Sequence, residues 1–244
     1  MTTFKPGDTT PVKIPVVEKD APLQAWSFSS LKVFETCAYR AYLKGVKKIK
    51  EPGSEAMDRG SAIHDLAENF IRGEIPFPKE LEKLQSKYEA LAESFDPEIC
   101  ILEDNWAFTE QWQPTDWYGN KTWNRTKLDY MKFDSPTSAF VVDHKTGAQF
   151  GNEMKHAEQL MLYAVICFVR YPDLEHVRVA NYYTDQGEIT ERNYSRGQAL
   201  VFLPRWTERG LRMTNATEFL PTPSAGNCRW CPYKEDGNCE WAEQ

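Results

Sequence analysis

The spacing of apolar residues changes along this chain, and that change limits its fold more than any other feature. In the first hundred residues, apolar side chains recur at every third or fourth position, the period of an amphipathic helix. Beyond them, apolar and polar residues mostly alternate, the period of a strand with one buried face. A strongly apolar helical segment and a second alternating region follow. Strands, a crossover helix and another strand predict the α/β class with a mixed sheet.

The expected elements follow from these periods and from turn residues. The first helix is expected to begin at an N-cap of Ser29 or Ser30 and to end at Gly45. Pro172 ends the long helix, and the turn at 185–187 separates the strands of a hairpin. In chain order we predict a helix up to residue 45, helices at 58–72 and 79–94, strands at 101–108, 123–133 and 139–142, a helix at 153–171, strands at 176–184 and 188–194, and a helix at 197–213.

The length of 244 residues is sufficient for a buried core without disulfides. No window approaches the roughly 18 consecutive apolar residues of a membrane span. Residues 1–22 contain Pro and Thr but lack the apolar stretch of a signal peptide. We therefore expect a flexible tail at 1–22, no membrane partner and a cytoplasmic location. Thiols stay reduced there, so the six cysteines point first to metal or catalytic chemistry.

Charge is distributed unevenly along the chain. The formal net charge is −7, yet residues 1–50 carry nine Lys and Arg against four Asp and Glu, while residues 51–110 carry five against fifteen. The acidic total argues against a protein that coats nucleic acid through overall charge. A basic cluster comprises Lys44, Lys47, Lys48 and Lys50. This cluster is either a solvated helix end or a local edge that contacts phosphate.

Two residues at the end of the short apolar strand suggest catalysis. Asp143 and Lys145 are two residues apart, so the strand period places both side chains on one face. Asp129 lies in the preceding strand, where antiparallel pairing would bring it beside Asp143. Two such carboxylates suit Mg²⁺ or Mn²⁺, and an adjacent lysine can orient water and stabilise charge on phosphate. A solvated ion pair is the simpler alternative for Asp-x-Lys.

Two helical pairs add to this set. His64 precedes Glu68 by one helical turn, and Gln159 precedes Tyr163 by the same spacing, so each pair shares a helix face. Taken alone, a helical histidine such as His64 is more often a structural residue than a ligand, and the pair of Gln159 and Tyr163 has no specific meaning. The order of these residues along the chain is more informative than any one of them.

The ordered motifs resemble a known family. They are Arg59-Gly60-x3-His64, Leu128-Asp129, Asp143-His144-Lys145-Thr146-Gly147 and Gln159-x3-Tyr163. With the opening SFSSLKVFETCAYRAYL, they resemble the RecB branch of the PD-(D/E)XK nucleases, which includes CRISPR-associated RecB-like nucleases and phage exonucleases. The resemblance covers residues 26–241 and implies a restriction-endonuclease-like fold. Its expected parts are a helical N-terminal region at 23–98, a nuclease core with a mixed sheet at 99–215 that His64 joins, and a cysteine segment at 216–244.

The resemblance also implies a role for each matching residue. The ligands of Mg²⁺ or Mn²⁺ would be His64, Asp129, Asp143 and the main-chain carbonyl of His144. Lys145 would position the attacking water, and Gln159 with Tyr163 would steer DNA or Lys145. One departure concerns the residues before Asp129: many relatives have a glycine there, whereas this chain has Thr126-Lys127-Leu128. The local strand geometry is therefore open at that point.

Three cysteines near the C-terminus form a C-x2-C-x7-C arrangement of Cys228, Cys231 and Cys239. Thiolates this close suit a soft metal, and either tetrahedral zinc or an iron–sulfur cluster requires a fourth ligand. The resemblance implies a 4Fe-4S cluster with Cys37 as the fourth ligand, which would join the C-terminal segment to the N-terminal region. Zinc and unligated thiols are the alternatives. Cys100 and Cys167 lie in apolar patterns and are expected in the core.

The expected function is that of a metal-dependent DNA exonuclease acting on single strands or DNA ends. The resemblance implies a place in recombination, repair, replication or phage DNA processing, in the cytoplasm of a bacterium or archaeon, or of a host cell for a phage protein. Two alternatives remain: a nuclease-like DNA-binding subunit of a recombination or CRISPR-adaptation complex, and a zinc-ribbon protein with an inert scaffold. The second leaves the ordered Asp129, Asp143 and Lys145 unexplained.

Overall fold

The computed structural model describes residues 23–242, and the predicted tail at 1–22 lies outside them. In chain order, the elements of the described residues are α1 Phe28–Thr36, α2 Ala38–Gly45, α3 Glu55–Ile71, a 3-10 helix Lys79–Leu84, α4 Gln85–Glu93, β1 Cys100–Phe108, β2 Pro114–Thr115, β3 Asn124–Ser135, β4 Ser138–Lys145, α5 Glu153–Arg170, β5 His176–Tyr183, β6 Glu188–Ser195, α6 Arg196–Leu200, α7 Leu203–Thr214, α8 Ala225–Cys228 and α9 Pro232–Glu235.

The strands of the described chain form one sheet in the order β2-β1-β3-β4-β5-β6. Neighbouring strands are antiparallel except for β4 and β5, which are parallel. A parallel pair requires a crossover connection, and α5 provides it. The predicted α/β class, the mixed sheet with flanking helices and the β5–β6 hairpin are therefore confirmed.

The sheet separates two apolar cores. One is formed with α1, α5, α6 and α7 and includes Ala139 and Val141 of β4. The other is formed with α3, the 3-10 helix and α4, and includes Phe140 and Val142 of the same strand. Both faces of β4 are covered, which explains its continuous apolar run. Of the two cysteines expected in the core, Cys167 lies in the first and Cys100 in the second.

The first predicted helix is interrupted at Cys37. This residue is extended, with φ −155° and ψ 106°, and it separates α1 from α2. The expected N-cap at Ser29 or Ser30 is also wrong, because Ser27 caps α1. The Ser27 hydroxyl accepts the Ser30 N–H at 3.3 Å, and the Ser30 hydroxyl accepts the Ser27 N–H at 2.8 Å. This reciprocal pair satisfies two N–H groups at the start of the helix.

Three other elements differ from the predictions. The single helix expected at 197–213 is two helices, because the chain turns at 201–202 and α7 starts again with a proline in its first turn. The segment at 79–94 begins as a 3-10 helix and becomes α-helical at Gln85. β2 has two residues, which is too short for an alternating pattern to reveal.

The segment before α1 extends the sheet beyond the end of β4. Trp26 forms a parallel bridge with Asn124 at the start of β3. The Trp26 N–H donates to the Trp123 carbonyl at 2.9 Å, and the Arg125 N–H donates to the Trp26 carbonyl at 2.8 Å. Gly210 of α7 packs closely here, because a Cβ at this position would lie 2.4 Å from Nε1 of Trp26. The start of β3 is thus held between β1 and Trp26.

α5 changes from exposed to buried along its length. With 18 residues, it crosses the sheet between β4 and β5. Its first turn is exposed, whereas its second half is buried on almost every side. Gln159 lies at the boundary and Tyr163 just inside the core. No helix in the described part of the chain combines the length and apolar composition that crossing a membrane requires.

Candidate active site

Asp129 and Asp143 are brought together by the pairing of β3 with β4. The antiparallel register places Tyr130 opposite Val142. Asp129 precedes Tyr130 and Asp143 follows Val142, so the two aspartates are neighbours on adjacent strands. Both carboxylates are buried. Asp129 is fixed by the main chain, because its Oδ2 accepts the His144 N–H at 2.8 Å. The pair has the arrangement that the alternating sequence pattern predicts.

A third carboxylate, that of Glu103, lies where the side chains of β1 and β3 change the side of the sheet on which they pack. Glu103 has a left-handed backbone with φ 50°, which is unusual for a residue with a Cβ. The register pairs Leu102 with Tyr130 and continues unshifted beyond Glu103. Leu102 and Tyr130 belong to the core formed with α3 and α4, whereas Leu128 belongs to the opposite core. At this crossing, Glu103 and Asp129 lie side by side.

His64 of α3 contacts both of these carboxylates. Its Nδ1 lies 3.3 Å from Oε1 of Glu103 and 3.4 Å from Oδ1 of Asp129, and its Nε2 lies 3.1 Å from the main-chain oxygen of His144. Burial by itself lowers the pKa of this imidazole. Hydrogen bonds with Asp129 and Glu103 outweigh burial and raise the pKa of His64 to about 10.

Arg59 and Glu68, the other charged residues of α3 noted in the sequence, form ion pairs away from His64. Arg59 forms two hydrogen bonds with the carboxylate of Asp185 in the β5–β6 turn. Glu68, one turn after His64, pairs with Arg72 and does not reach the carboxylates. The pairing of Arg59 therefore connects the start of α3 to the turn between β5 and β6.

Lys145, Gln159 and Tyr163 form a hydrogen-bonded network around Asp143. The Lys145 ammonium forms an ion pair with Oδ2 of Asp143 and donates to Oε1 of Gln159 at 2.9 Å. Oδ1 of Asp143 accepts the Tyr163 hydroxyl at 2.9 Å and the Gln159 amide at 3.2 Å. Gln159 also donates to the Tyr163 hydroxyl at 2.9 Å. The predicted catalytic side chains of β4 and α5 therefore belong to one network.

The two aspartates have opposite pKa shifts. Burial raises the pKa of each carboxyl, but hydrogen bonding and charge from His64 leave the pKa of Asp129 below its ordinary value. At Asp143, burial and the neighbouring charge of Asp129 outweigh the effect of Lys145, so the pKa of Asp143 is raised. An added cation would stabilise this buried pair in its ionised form.

His144 and Lys127 contribute main-chain atoms to the site. The His144 ring lies in the core formed with α3 and α4, where its Nδ1 is 3.0 Å from the Tyr88 hydroxyl, and burial lowers the pKa of His144 to about 4. The Lys127 carbonyl accepts the Tyr163 hydroxyl at 3.3 Å, and the Lys127 ammonium pairs with Glu103. The segment that lacks the expected glycine lies within β3.

Comparison with known proteins assigns this arrangement to a family. The profile of the PD-(D/E)XK nuclease superfamily matches residues 25–128 and 125–235, which is most of the chain. The chain belongs to the PD-(D/E)XK nuclease superfamily. A search of curated proteins gives no match. A crystal structure described as that of SSO0001 aligns with 94% of this chain and 91% of its own, with 12% sequence identity and a TM-score of 0.45.

The residues of this PD-(D/E)XK nuclease fit a divalent cation. His64, Glu103 and Asp129 each offer one ligand atom, and these atoms all lie within 4.8 Å of one another. Asp143 lies beside them on the next strand. Carboxylate oxygens with one imidazole suit hard divalent ions such as Mg²⁺ and Mn²⁺, and nucleases of this superfamily use divalent metals. The fit rests on the chemistry of the donor set.

Glu103 is the residue of the site that the sequence motifs did not indicate. It occupies the interior of a mostly apolar strand, next to Asp104. Two adjacent acidic residues in such a strand are the only sequence signal, because the positive φ that brings Glu103 to Asp129 has no signature in a non-glycine residue.

The four cysteines that are expected to bind a metal line one pocket. They are Cys37, Cys228, Cys231 and Cys239. Burial raises the pKa of the Cys239 thiol, and the three neighbouring thiols raise it further. Two side chains fix the C-terminal segment to the N-terminal helices: the Asn227 amide donates to the Thr36 carbonyl at 3.3 Å, and the Tyr233 hydroxyl donates to the Ile49 carbonyl at 2.8 Å. The interruption at Cys37 lies at this junction.

Proposed function

We propose that this protein is a metal-dependent DNA exonuclease that removes nucleotides from single strands or from DNA ends. The observation that carries the proposal is the convergence of Asp129, Asp143 and Lys145 at the end of β4, with His64 and Glu103 beside them. Superfamily membership supports a nuclease that acts on DNA. The preference for single strands or ends, and a place in recombination, repair, replication or phage DNA processing, follow from the RecB-like motifs.

The proposed ligands of Mg²⁺ or Mn²⁺ are His64, Glu103, Asp129, Asp143 and the main-chain carbonyl of His144. When bound, the ion supplies positive charge that polarises water and phosphate. His64 binds a metal only as the neutral imidazole, so its proton must leave first. The aspartates are already fixed, Asp129 by the His144 N–H and Asp143 by the Tyr163 hydroxyl. Preformed ligands of this kind reduce the reorganisation that binding requires.

Lys145 is the residue that we propose acts on the attacking water. Its ammonium is held between Asp143 and Gln159 and remains partly exposed. It can donate hydrogen bonds to a water molecule and to a phosphate oxygen, which favours in-line attack and stabilises the charge that develops on the phosphate. Gln159 and Tyr163 act as positioning residues, because their hydrogen bonds hold Lys145 and Asp143.

We further propose that the four cysteines of the pocket bind a 4Fe-4S cluster. Four thiolates suit either tetrahedral zinc or an iron–sulfur cluster. The RecB-like motifs and the shared pocket of the four cysteines support the cluster. Protein purified without oxygen should contain iron and sulfide and absorb visible light. Zinc as the only metal would support the alternative.

End-labelled DNA tests the exonuclease proposal. With Mg²⁺ or Mn²⁺, the protein should shorten linear single strands from their ends and leave circular single strands intact. Lys145→Ala should abolish cleavage without loss of folded structure, because the ammonium is absent and the strand ladder remains. Lys87→Ala removes the same charge from an exposed position of α4, and it should cleave like the parent.

Other outcomes separate the remaining functions. Cleavage of the circular strand would identify an endonuclease. Binding without cleavage, with metal present, would favour a nuclease-like DNA-binding subunit that works with a recombination or CRISPR-adaptation partner. Full activity of Lys145→Ala would overturn the role given to that residue.

A further inference from the structure

A basic cleft of about 550 Å³ lies beside the start of β3. Its walls come from the segment before α1, from α1 and α2, and from the loop that leads into β3. Lys44, Lys48 and Arg125 line it, and none of its described lining residues carries a carboxylate. The volume is in the range of ligand-binding pockets. In a chain with a net charge of −7, a cleft whose charged lining residues are all cations is a local exception.

The basic cluster noted in the sequence divides into occupied and available lysines. Lys44 pairs with Glu51, and the Lys47 ammonium lies over the ring of Tyr42. Lys48 is exposed, has a left-handed backbone with φ 57°, and lines the cleft. No ion pair joins Lys48 to a carboxylate within residues 23–242. Lys48 can therefore contact a phosphate without first breaking an internal pair.

Arg125 combines positive charge with aromatic surface at the rim of the cleft. Its Nε donates to the Trp117 carbonyl at 2.9 Å. Its guanidinium lies 5.6 Å from the centre of the Trp117 ring and 5.7 Å from that of Tyr118. The Tyr118 side chain is 86% exposed, although nothing in the core requires an aromatic residue there. Cations beside an exposed ring are the usual elements of a surface that binds single-stranded nucleic acid.

β3 leads from this cleft to the active site. Arg125, Lys127 and Asp129 occupy alternate positions of the strand, and Arg125 and Lys127 reach solvent while the intervening Thr126 is buried. At about 3.3 Å per residue, Arg125 lies about 13 Å from Asp129 along the strand. A few nucleotides of an extended strand span that distance, so one strand could contact both places.

We infer that the cleft holds the backbone of a single-stranded nucleic acid whose end reaches the active site, and that Tyr118 stacks on one of its unpaired bases. The inference rests on the proposed function, because it concerns the path of that substrate. Phosphates would meet Lys48 and Arg125. A duplex hides the faces of its bases inside the stack and cannot use Tyr118 in this way.

Binding measurements without cleavage test this inference. In a Lys145→Ala background without metal, fluorescence anisotropy would compare labelled single strands of about two and about sixteen nucleotides. Tyr118→Ala should weaken binding of the long strand about tenfold, because one stacked base is lost. Tyr118→Phe should restore it, because the phenyl ring still stacks. Neither change should alter binding of the short strand, which can occupy the active site alone.

Salt dependence separates the two kinds of contact. Lys48→Gly should lower the slope of log affinity against log salt by about 0.7, the value for one phosphate contact on a single strand. Glycine accepts the positive φ of this position, so the fold should be retained. Tyr118→Ala should leave the slope unchanged. Lys87→Ala is the matched control for charge and should bind both strands like the Lys145→Ala parent.

The inference is overturned if Tyr118→Ala and Lys48→Gly bind the long strand with the affinity and salt slope of the parent. It is equally overturned if the parent binds no single strand, or if Tyr118→Ala weakens duplex binding as much as single-strand binding. Failure of the nuclease proposal gives a different result. If the variants change binding as expected but the protein cleaves no DNA, the nuclease proposal fails and the inference about the cleft stands.

Discussion

The active site and the cysteine pocket hold their side chains in different ways. Asp129 and Asp143 lie on central strands with a neighbouring strand on each side, and both are fixed by hydrogen bonds from the surrounding structure. Cys228 lies at the end of a four-residue helix, Cys231 precedes another, and Cys37 interrupts the first two helices. The first site is part of the sheet, and the second joins short segments from the two ends of the chain.

This difference indicates which property each site controls. A sheet ladder and two apolar cores persist when one catalytic side chain is removed, so the active site should lose activity before stability. Helices of four residues are not stable alone, so the cysteine pocket should depend on what its thiols bind. Four predictions test this contrast, in order of decreasing effect.

Asp143→Asn should reduce the rate of DNA cleavage about 10⁴-fold and change the free energy of unfolding by less than about 1 kcal/mol. The amide preserves the shape of the side chain and can still bond to Tyr163, but it neither binds the metal well nor pairs with Lys145. Cleavage assays and urea unfolding measure the two effects. Asp134→Asn, at an exposed position of β3, should change neither. Extensive unfolding of Asp143→Asn would show that the active site controls stability as well as activity.

Cys231→Ser should have the opposite effect, with loss of iron and of about 4 kcal/mol of stability. A cluster joining Cys37 to the C-terminal cysteines closes a loop of most of the chain, and cross-links over such loops stabilise by about that amount. Iron content, urea unfolding and limited proteolysis of residues 216–242 measure the change. Cys100→Ser alters a cysteine away from the pocket and should keep its iron. A Cys231→Ser protein with unchanged stability would show that the thiols are not cross-linked.

The stability of the metal-free protein should be greatest near about pH 6.5. The pKa of His64 is raised to about 10, so the stability that it contributes is present below about pH 6.5 and is lost as pH rises toward 10. The pKa of His144 is lowered to about 4, so its contribution is present above about pH 6.5 and is lost as pH falls toward 4. Each change should amount to a few kcal/mol, because one pKa unit corresponds to about 1.4 kcal/mol.

Urea unfolding with a chelator present, across this pH range, measures the profile. His64→Asn should remove the decline at alkaline pH and leave the decline at acidic pH. The comparison between His64→Asn and the parent isolates the imidazole from the other titrating groups. A parent protein whose stability rises steadily through pH 9 would contradict the contribution given to His64.

Glu103→Gln should have the smallest effect, a loss of about tenfold in metal affinity. The change removes one carboxylate from the group formed with His64 and Asp129 and preserves its size. Titration of cleavage with Mn²⁺ measures the affinity. Asp104→Asn is the matched control, because the Asp104 carboxylate accepts the Trp106 indole N–H at 2.7 Å instead. Equal metal affinity in the two variants would remove Glu103 from the ligand set.

The parts of the site that sequence predicts are those that follow strand and helix periods. Asp143 and Lys145 share a face because they are two residues apart in a strand, and Gln159 and Tyr163 share one because they are four apart in a helix. The placement of Asp129 beside Asp143 needs only an antiparallel register. The catalytic roles of these residues, the cluster ligands and the division of the chain at 98 and 215 stay predictions.

The parts that sequence does not predict depend on local backbone conformation or on distant contacts. Glu103 joins the site through a positive φ in a strand that otherwise alternates normally. The interruption at Cys37 has no glycine or proline to announce it. It is stabilised by contacts such as the bond from Asn227 to the end of α1, almost two hundred residues away in sequence. Periodicity contains no information about either event.

The exchange of faces at Glu103 and Asp129 gives the two apolar cores a common boundary. Leu102 and Tyr130 pack into one core and Leu128 into the other, so a repacking in either helical layer shifts a residue adjacent to the same carboxylates. Substitutions that change catalysis should therefore arise in both helical layers. The carboxylates of the site therefore lie where the two apolar cores meet.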